Sequence, residues 1–236
     1  MGISTSRIPI GRPGSERPGL SPLGPMTGSS DDAALWDGRY SAEDYLYGTE
    51  PNDFLVEGVA GVEPGAALCL AEGEGRNAVY LAGLGFEVTA VDHSVEGGRK
   101  TRALARQRGV EVEVVTSDLA EYDLGTERWN LIVSIFAHLP RAVRTDVFMR
   151  LPRALAPGGT LILEAYRPEQ AGFDTGGPPD PTRLYDLATL EREIVGLDIV
   201  LARETEREVI EGRGHTGAGA VVQLIARRRA AWQHLS

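Results

Sequence analysis

The chain has 236 residues, 42% hydrophobic and 25% charged, with 34 acidic against 24 basic side chains and a net charge of -10. That length implies one domain plus a tail with a full core, and that charge repels phosphate backbones and anionic bilayers, which excludes nucleic acid and membrane surfaces as partners. A single cysteine excludes an internal disulfide and fits a reducing compartment, the cytoplasm; no apolar run is long enough to span a bilayer, and no signal-peptide core opens the chain.

Residues 1–31 are rich in Pro, Gly and Ser, as in Gly11-Arg12-Pro13-Gly14 and Ser21-Pro22-Leu23-Gly24-Pro25, and carry no hydrophobic period. They are expected to be a disordered tail, and Met26 is a candidate true start. Residues 32–228 are expected to form one domain, and 229–236 a second tail. Within the domain, strand and helix patterns alternate. Strands are expected at 66–71, 87–91, 110–115, 131–136 and 160–165. Helices are expected at 76–84, capped by Gly85, and from Ser94 to about Arg108, stopped by Gly109. A third helix carries Val143, Val147, Leu151 and Leu155 on one face, with Pro152 expected to kink or break it. Pro157-Gly158-Gly159 reads as a turn, and Leu187, Leu190, Ile194 and Leu197 mark a further helix. Strand patterns at 198–206 and 219–226 flank the turn-like Glu211-Gly212-Arg213-Gly214, too short for a helical crossover, so they should pair as an antiparallel hairpin. The expected fold is α/β: a Rossmann-like, doubly wound, seven-stranded, mostly parallel sheet with that hairpin at its C-terminal end.

The chemistry concentrates at the first strand–helix junction. Leu68-Cys69-Leu70-Ala71-Glu72-Gly73-Glu74-Gly75-Arg76-Asn77-Ala78 is an apolar run that breaks into Gly-x-Gly and opens into a helix. Such a turn lets backbone approach a ligand at a helix N-terminus, although an ordinary tight turn has the same form. Asp92 closes the second strand, where a carboxylate can accept from both hydroxyls of a ribose, or cap a helix together with Ser94. Asp118 follows the third strand and can accept from an adenine amino group while the Leu119 N–H donates to a ring nitrogen. Cys69, inside an apolar run, reads as a small hydrophobe. Lys100 is the only lysine, and no Gly-Lys-Ser/Thr exists for a P-loop. No metal-ligand set is expected.

These residues resemble a family. With Ser134-Ile135-Phe136-Ala137-His138-Leu139-Pro140 after the fourth strand and Leu155-Ala156-Pro157-Gly158-Gly159 before the fifth, the chain from about Trp36 to Arg227 is similar to class I S-adenosylmethionine-dependent methyltransferases. It is most like the small-molecule branch that includes tellurite-resistance and thiopurine-methyltransferase-like enzymes. It also resembles a bacterial subgroup opening with Trp36-Asp37-x-Arg39-Tyr40 and Tyr47-Gly48-Thr49-Glu50-Pro51-Asn52. The resemblance implies S-adenosyl-L-methionine as cofactor. It implies a site of Ala71, Glu72, Gly73, Glu74, Gly75, Asn77, Asp92, His93, Asp118, Leu119 and Ile135, with Arg39 on the methionine carboxylate and Tyr47 beside the sulfonium. Three positions depart from the family pattern: Cys69 stands where an acid is usual, Ala71 where glycine is usual, and Glu72 where cysteine is usual. Glu72 is therefore a candidate for the contact the missing acid would make.

In-line transfer from a sulfonium needs chiefly alignment and exclusion of water. A soft nucleophile such as a thiol or a chalcogen oxyanion is favoured, since it needs little base catalysis, and His138 is the candidate base or positioning group, with a hydrogen-bonded loop histidine the alternative. His215 and Arg213 in the hairpin turn are further candidates on the substrate side. The acceptor pocket would come from loops 36–50, 138–142, 167–182 and 211–216. The implied partner is a small-molecule methyl acceptor, with the protein a monomer or weak dimer. Two rival readings are a non-enzymatic module that binds S-adenosylmethionine or its demethylated product, and an NAD-dependent oxidoreductase. The second is suggested by Gly73-x-Gly75-x-x-Ala78 and opposed by the absence of a Tyr-x-x-x-Lys pair.

Overall fold

A computed structural model describes residues 29–173 and 175–230. Most of the expected N-terminal tail, Met26 included, and residues 231–236 of the C-terminal one lie outside the described residues. Seven strands form one sheet in the order β3-β2-β1-β4-β5-β7-β6. β1 (Ala66–Leu70), β2 (Glu87–Asp92), β3 (Glu113–Thr116), β4 (Trp129–Ile135) and β5 (Leu155–Tyr166) run parallel, while β7 (His215–Arg227) pairs antiparallel with β5 and with β6 (Asp198–Glu211). This is the doubly wound sheet with a closing hairpin that the sequence predicts. The chain reverses its winding between β1 and β4, and such a point opens a crevice at the carboxyl ends of the strands.

Both faces of the sheet are covered, and β1 shows why its residues suit a central strand. Leu68 and Leu70 point into one core with Val147, Phe148 and Leu151 of α5 (Arg141–Ala154), and Leu190 of α6 (Leu187–Glu193) joins them there. Ala67 and Cys69 point into the other, with Phe54 and Leu55 of α2 (Asp53–Val59) and Leu81 of α3 (Arg76–Gly83). A strand buried on both faces reads as an unbroken apolar run. Cys69 is fully enclosed there, and burial pushes its thiol well above the ordinary range, so it packs as a hydrophobe. Two more helices complete the domain: α4 (Val95–Arg108), capped by the Ser94 hydroxyl and ended by Gly109 at φ 69°, and α1 (Ser29–Tyr40), which lies against α4.

The structure corrects three local expectations. β3 starts at Glu113 and not at Val110, because the Val110 N–H is used in closing the last turn of α4 on the Ala105 carbonyl. Pro152 does not break α5; it sits in the last turn, where the hydrogen-bond ladder has almost ended. Pro157-Gly158-Gly159 lies inside β5, and there the pairing with β4 jumps from Trp129–Leu155 to Leu131–Thr160, so the turn survives as a loop-out within the strand.

Candidate functional site

The strands deliver their chemistry-bearing residues to one edge. Directly after β1, Ala71 (φ 48°), Gly73 (φ 65°) and Gly75 (φ 95°) alternate into the left-handed region, which folds the chain back tightly before α3. Gly73 must be glycine, since a Cβ there would lie 2.7 Å from the Tyr40 hydroxyl oxygen. Ala71 occupies a conformation that costs an L-residue about 1–2 kcal/mol, which is a physical reason for glycine to be usual there.

Asp92, at the end of β2, accepts from the Gly73 N–H at 2.8 Å through Oδ2 and from the Ser94 N–H at 2.8 Å through Oδ1. Each oxygen keeps a lone pair, so the carboxylate still suits two ribose hydroxyls while it ties the two βα turns together. Burial raises its pKa above the usual range against the pull of those N–H groups. Asp37 of α1 braces the same corner: its Oδ1 accepts from the Ser94 hydroxyl at 2.6 Å and from the Glu96 N–H at 3.1 Å. His93 sits beside Asp37. Asp118 closes its own turn by accepting from the Ala120 N–H through Oδ1. The Leu119 side chain is buried, while its N–H donates to no protein acceptor among the described residues.

Glu72 changes the character of the helix N-terminus. Its Oε1 accepts from both the Asn77 and the Ala78 N–H groups, at 2.9 and 2.8 Å. These are donors that a bound phosphate would use, and a carboxylate already fills their place. Burial, only partly offset by those N–H groups and by Arg76, raises the Glu72 pKa to about 7. The edge therefore offers acceptors for ribose and no opening for a pyrophosphate, which opposes a dinucleotide.

Three of the expected site residues have protein partners for their side chains. Glu74 is committed elsewhere: Oε2 accepts from the Leu46 N–H at 2.8 Å and Oε1 pairs with Lys100 Nζ at 2.7 Å, with both side chains buried. The lone lysine also donates to the Asp44 carbonyl, so this pair fastens the 44–47 segment to α4. Asn77 accepts from the Asn52 N–H at 3.0 Å and locks the start of α2. His138 has no free ring nitrogen. Its Nδ1 lies 2.8 Å from the Arg183 carbonyl oxygen and its Nε2 takes a longer contact, 3.4 Å, from the Tyr166 N–H. Burial lowers its pKa to about 3, so the ring is neutral, and its two contacts join the 136–139 and 183–185 segments to the end of β5.

Arg39 and Tyr47 lie at the other end of the crevice. The Arg39 guanidinium stacks 5.1 Å over the Trp36 ring and pairs with no carboxylate among the described residues, which leaves it available to a ligand carboxylate. Tyr47 packs against His215 at 4.4 Å between ring centroids. Gly214 allows this, because a Cβ there would meet the Tyr47 ring at 2.5 Å, and the Gly214 N–H donates to the Leu46 carbonyl. Arg213 turns outward to Asp44 at 3.0 Å. Beyond Ile135, which is buried at the end of β4, Phe136 is held at φ 51° with its N–H on the Glu164 carbonyl. Backbone strain of this kind clusters at functional sites, and it aims the Phe136 ring at Tyr166 (4.6 Å) and His215 (4.8 Å).

Sequence reading missed Tyr166, Phe136 as a lining residue, and a buried ionic group behind them. Glu164, fully enclosed, accepts from Asn52, Arg207 and Gln223, while Glu211 accepts from Asn52 and pairs with Arg76. One signal was available: a glutamate inside Leu161-Ile162-Leu163-Glu164-Ala165 must find partners if the strand is buried.

The edge, with its glycine turn, ribose-type carboxylate and closing hairpin, defines a class I methyltransferase fold. Residues 67–159 match the family described as "Methyltransferase domain". That segment is a methyltransferase domain, and its cofactor is S-adenosylmethionine. No curated protein matches the chain in sequence. Among solved structures, a protein from work on converting a disulfide bond into a thioacetal group during echinomycin biosynthesis is 22% identical, with TM-score 0.68 over 85% of this chain and 93% of that one. TehB from Haemophilus influenzae is 18% identical, with TM-score 0.62 over 84% and 67%. A SAM-dependent methyltransferase from Aquifex aeolicus is 19% identical, with TM-score 0.58 over 81% and 97%. At these identities the likeness is one of fold.

Proposed function

We propose that residues 32–228 act as one small-molecule methyltransferase, of the branch that the tellurite-resistance and thiopurine enzymes represent. The observation that carries this reading is the pairing of Asp92 with Glu72: hydrogen-bond acceptors placed for a ribose, beside a helix N-terminus already filled by a carboxylate.

The residues fit S-adenosylmethionine along the whole edge. Asp92 holds the ribose, Asp118 and the Leu119 N–H hold the adenine, and Arg39 takes the methionine carboxylate. When bound, the cofactor supplies an electrophilic methyl group on a sulfonium whose leaving group is neutral. The rings of Trp36, Tyr47 and Phe136 wall the far end of the crevice, where π-faces stabilise a cation by about 0.5–2 kcal/mol. The segment 44–48 meets the hairpin turn at this end, where the Gly214 N–H donates to the Leu46 carbonyl, and Glu74 with Lys100 fastens that segment to α4. The net charge of -10 argues against polyanionic substrates. No helix among the described residues is long and apolar enough to cross a membrane.

Isothermal calorimetry with S-adenosylhomocysteine and with NAD tests the reading. Binding of the first and not the second is expected, and binding of NAD alone overturns it. Release of S-adenosylhomocysteine from S-adenosylmethionine across thiols, chalcogen oxyanions and phenols separates an enzyme from a binding module.

A further inference from the structure

Polar contacts, more than apolar ones, hold α1 to the domain. Of its residues Ala33, Ala34, Leu35, Trp36 and Tyr40, only Tyr40 is buried, and none joins the hydrophobic clusters that cover the sheet. Near the start of the helix, Asp32 Oδ2 pairs with Arg183 Nη2 at 3.0 Å, and both side chains are buried. Near its end, Asp37 is tied to Ser94 and Glu96, and the Tyr40 hydroxyl lies against Gly73. Arg183 stands in the loop after β5, and Ser94 follows β2. In the sheet these two strands flank β1 and β4. A helix fixed at both places therefore spans the crevice that opens between β1 and β4. Asp32, Trp36 and Arg39 recur at i, i+4 and i+7, on one face of α1, so the pair with Arg183 also sets which face looks into the crevice.

The two partners are unequally anchored. Arg183 ends a short 3₁₀ turn, Pro181–Arg183, whose N-cap Asp180 accepts from the Thr182 N–H at 2.9 Å. The Arg183 carbonyl lies 2.8 Å from His138 Nδ1. Arg144, bidentate on Glu193 of α6, donates to the Thr182 carbonyl at 3.3 Å. The Asp32 carboxylate makes no hydrogen bond besides those to Arg183 among the described residues. When the pair opens, α1 is thus the side that moves. A buried ion pair gains Coulomb energy and loses hydration in nearly equal measure. Closed and open states are then close in free energy, as a catch that must both hold and release requires.

We propose that Arg183 is a positioning residue whose pair with Asp32 holds α1 shut over bound S-adenosylmethionine, so that the cofactor leaves only when this pair opens. This rests on the methyltransferase reading above, which puts the methionine end of the cofactor at Arg39. The pair touches neither the cofactor nor the reacting atoms. It acts through α1, by keeping the Arg39 guanidinium and the Trp36 ring over the crevice.

Hydrogen exchange of the full wild-type chain, with and without S-adenosylhomocysteine, is one test; the α1 amides are expected to exchange about tenfold or more slowly with the ligand bound. The other is the dissociation rate of labelled S-adenosylhomocysteine chased with excess unlabelled ligand. Asp32→Asn and Arg183→Gln should each speed release by about tenfold while association changes by less than about threefold. The double variant Asp32→Asn with Arg183→Gln leaves no charge buried alone, and it should release no faster than either single variant. The reversed pair, Asp32→Arg with Arg183→Asp, should return the rate to within about threefold of wild type. Circular dichroism checks the fold of each variant. Ligand bound with α1 exchange unchanged, or a double variant that releases at the wild-type rate, overturns the proposal and leaves the methyltransferase reading intact. Losses that multiply in the double variant, or a reversed pair as fast as the single variants, remove the ion pair as the catch. Failure of S-adenosylhomocysteine to bind the wild-type protein defeats the underlying reading instead.

Discussion

Glu72→Gln should make the protein more stable at alkaline pH and leave it nearly unchanged at acid pH. Glu72 stands under α3 with Oε1 shared by the Asn77 and Ala78 N–H groups, and a glutamine carbonyl can accept both bonds without a charge. In the folded chain its pKa is raised from 4.5 to about 7, chiefly by burial. Below the lower value both folded and unfolded chains are protonated and the group is neutral to stability. As pH rises, the unfolded chain ionises while the folded one resists, so stability is lost until the folded group also ionises near pH 7. At about 1.4 kcal/mol per pH unit the interval amounts to about 3 kcal/mol. Glutamine never ionises. The stability difference between variant and wild type should therefore grow from about zero below about pH 4 to about 3 kcal/mol near pH 8, or roughly 6–12 °C in Tm for a chain of this size. Thermal unfolding followed by circular dichroism across that range measures it. A difference that stays constant with pH, or a variant less stable at pH 8, refutes the account of a charge held against burial.

Asp92→Ala should weaken S-adenosylhomocysteine binding by about 1–3 kcal/mol, roughly 5- to 150-fold in Kd by calorimetry; an unchanged Kd removes Asp92 from the site. Glu74→Gln alone leaves the Lys100 ammonium buried without its partner and should cost about 3–5 kcal/mol in chemical denaturation. Adding Lys100→Met should recover a large part of that, and simple additivity of the two losses would show that the pair is not coupled. His138→Gln should lower stability by about 1–3 kcal/mol through the lost buried hydrogen bonds. Methyl transfer per folded molecule should stay within about threefold, whereas a hundredfold fall would restore His138 as a base.

The sheet was legible because its strands obey simple rules. The run Leu68–Leu70 is apolar on both faces because helices cover both, and the hairpin was legible because Glu211–Gly214 is too short to cross over. Asp92 and Gly73 were legible as a spaced pair, and the structure joins them by a direct hydrogen bond. The pairing of Glu74 with Lys100 was not legible, because a glutamate within a glycine turn looks the same in sequence whether it faces a ligand or a lysine on α4. The partners of His138 were not legible for a related reason: position after a strand says where a ring begins, not which carbonyl it meets. Phe136 carries no sequence mark of its left-handed backbone. The surroundings of His215 were not legible because its neighbours, Tyr47, Phe136, Tyr166 and Arg76, come from four separate stretches of chain that the fold alone assembles.

The family match covers only part of the strand edge. Residues 67–159 contain Gly73, Asp92, Asp118 and Phe136, and Arg39 lies outside them. Trp36, Tyr47, Tyr166, Glu211 and His215 all lie outside that segment, on α1, the 44–48 segment, the end of β5 and the hairpin. These parts are fastened to the matched core by buried charge: Glu74 with Lys100 holds the N-terminal segment, and Arg76 with Glu211 holds the hairpin. Both fasteners begin at Glu74 and Arg76, on either side of Gly75, the N-cap of α3. A change in the glycine turn is therefore transmitted to the N-terminal segment and the hairpin through two ion pairs. Substitutions at 74 and 76 should loosen these two parts, which hydrogen exchange at their backbone amides measures; unchanged exchange would show that the pairs do not fasten them.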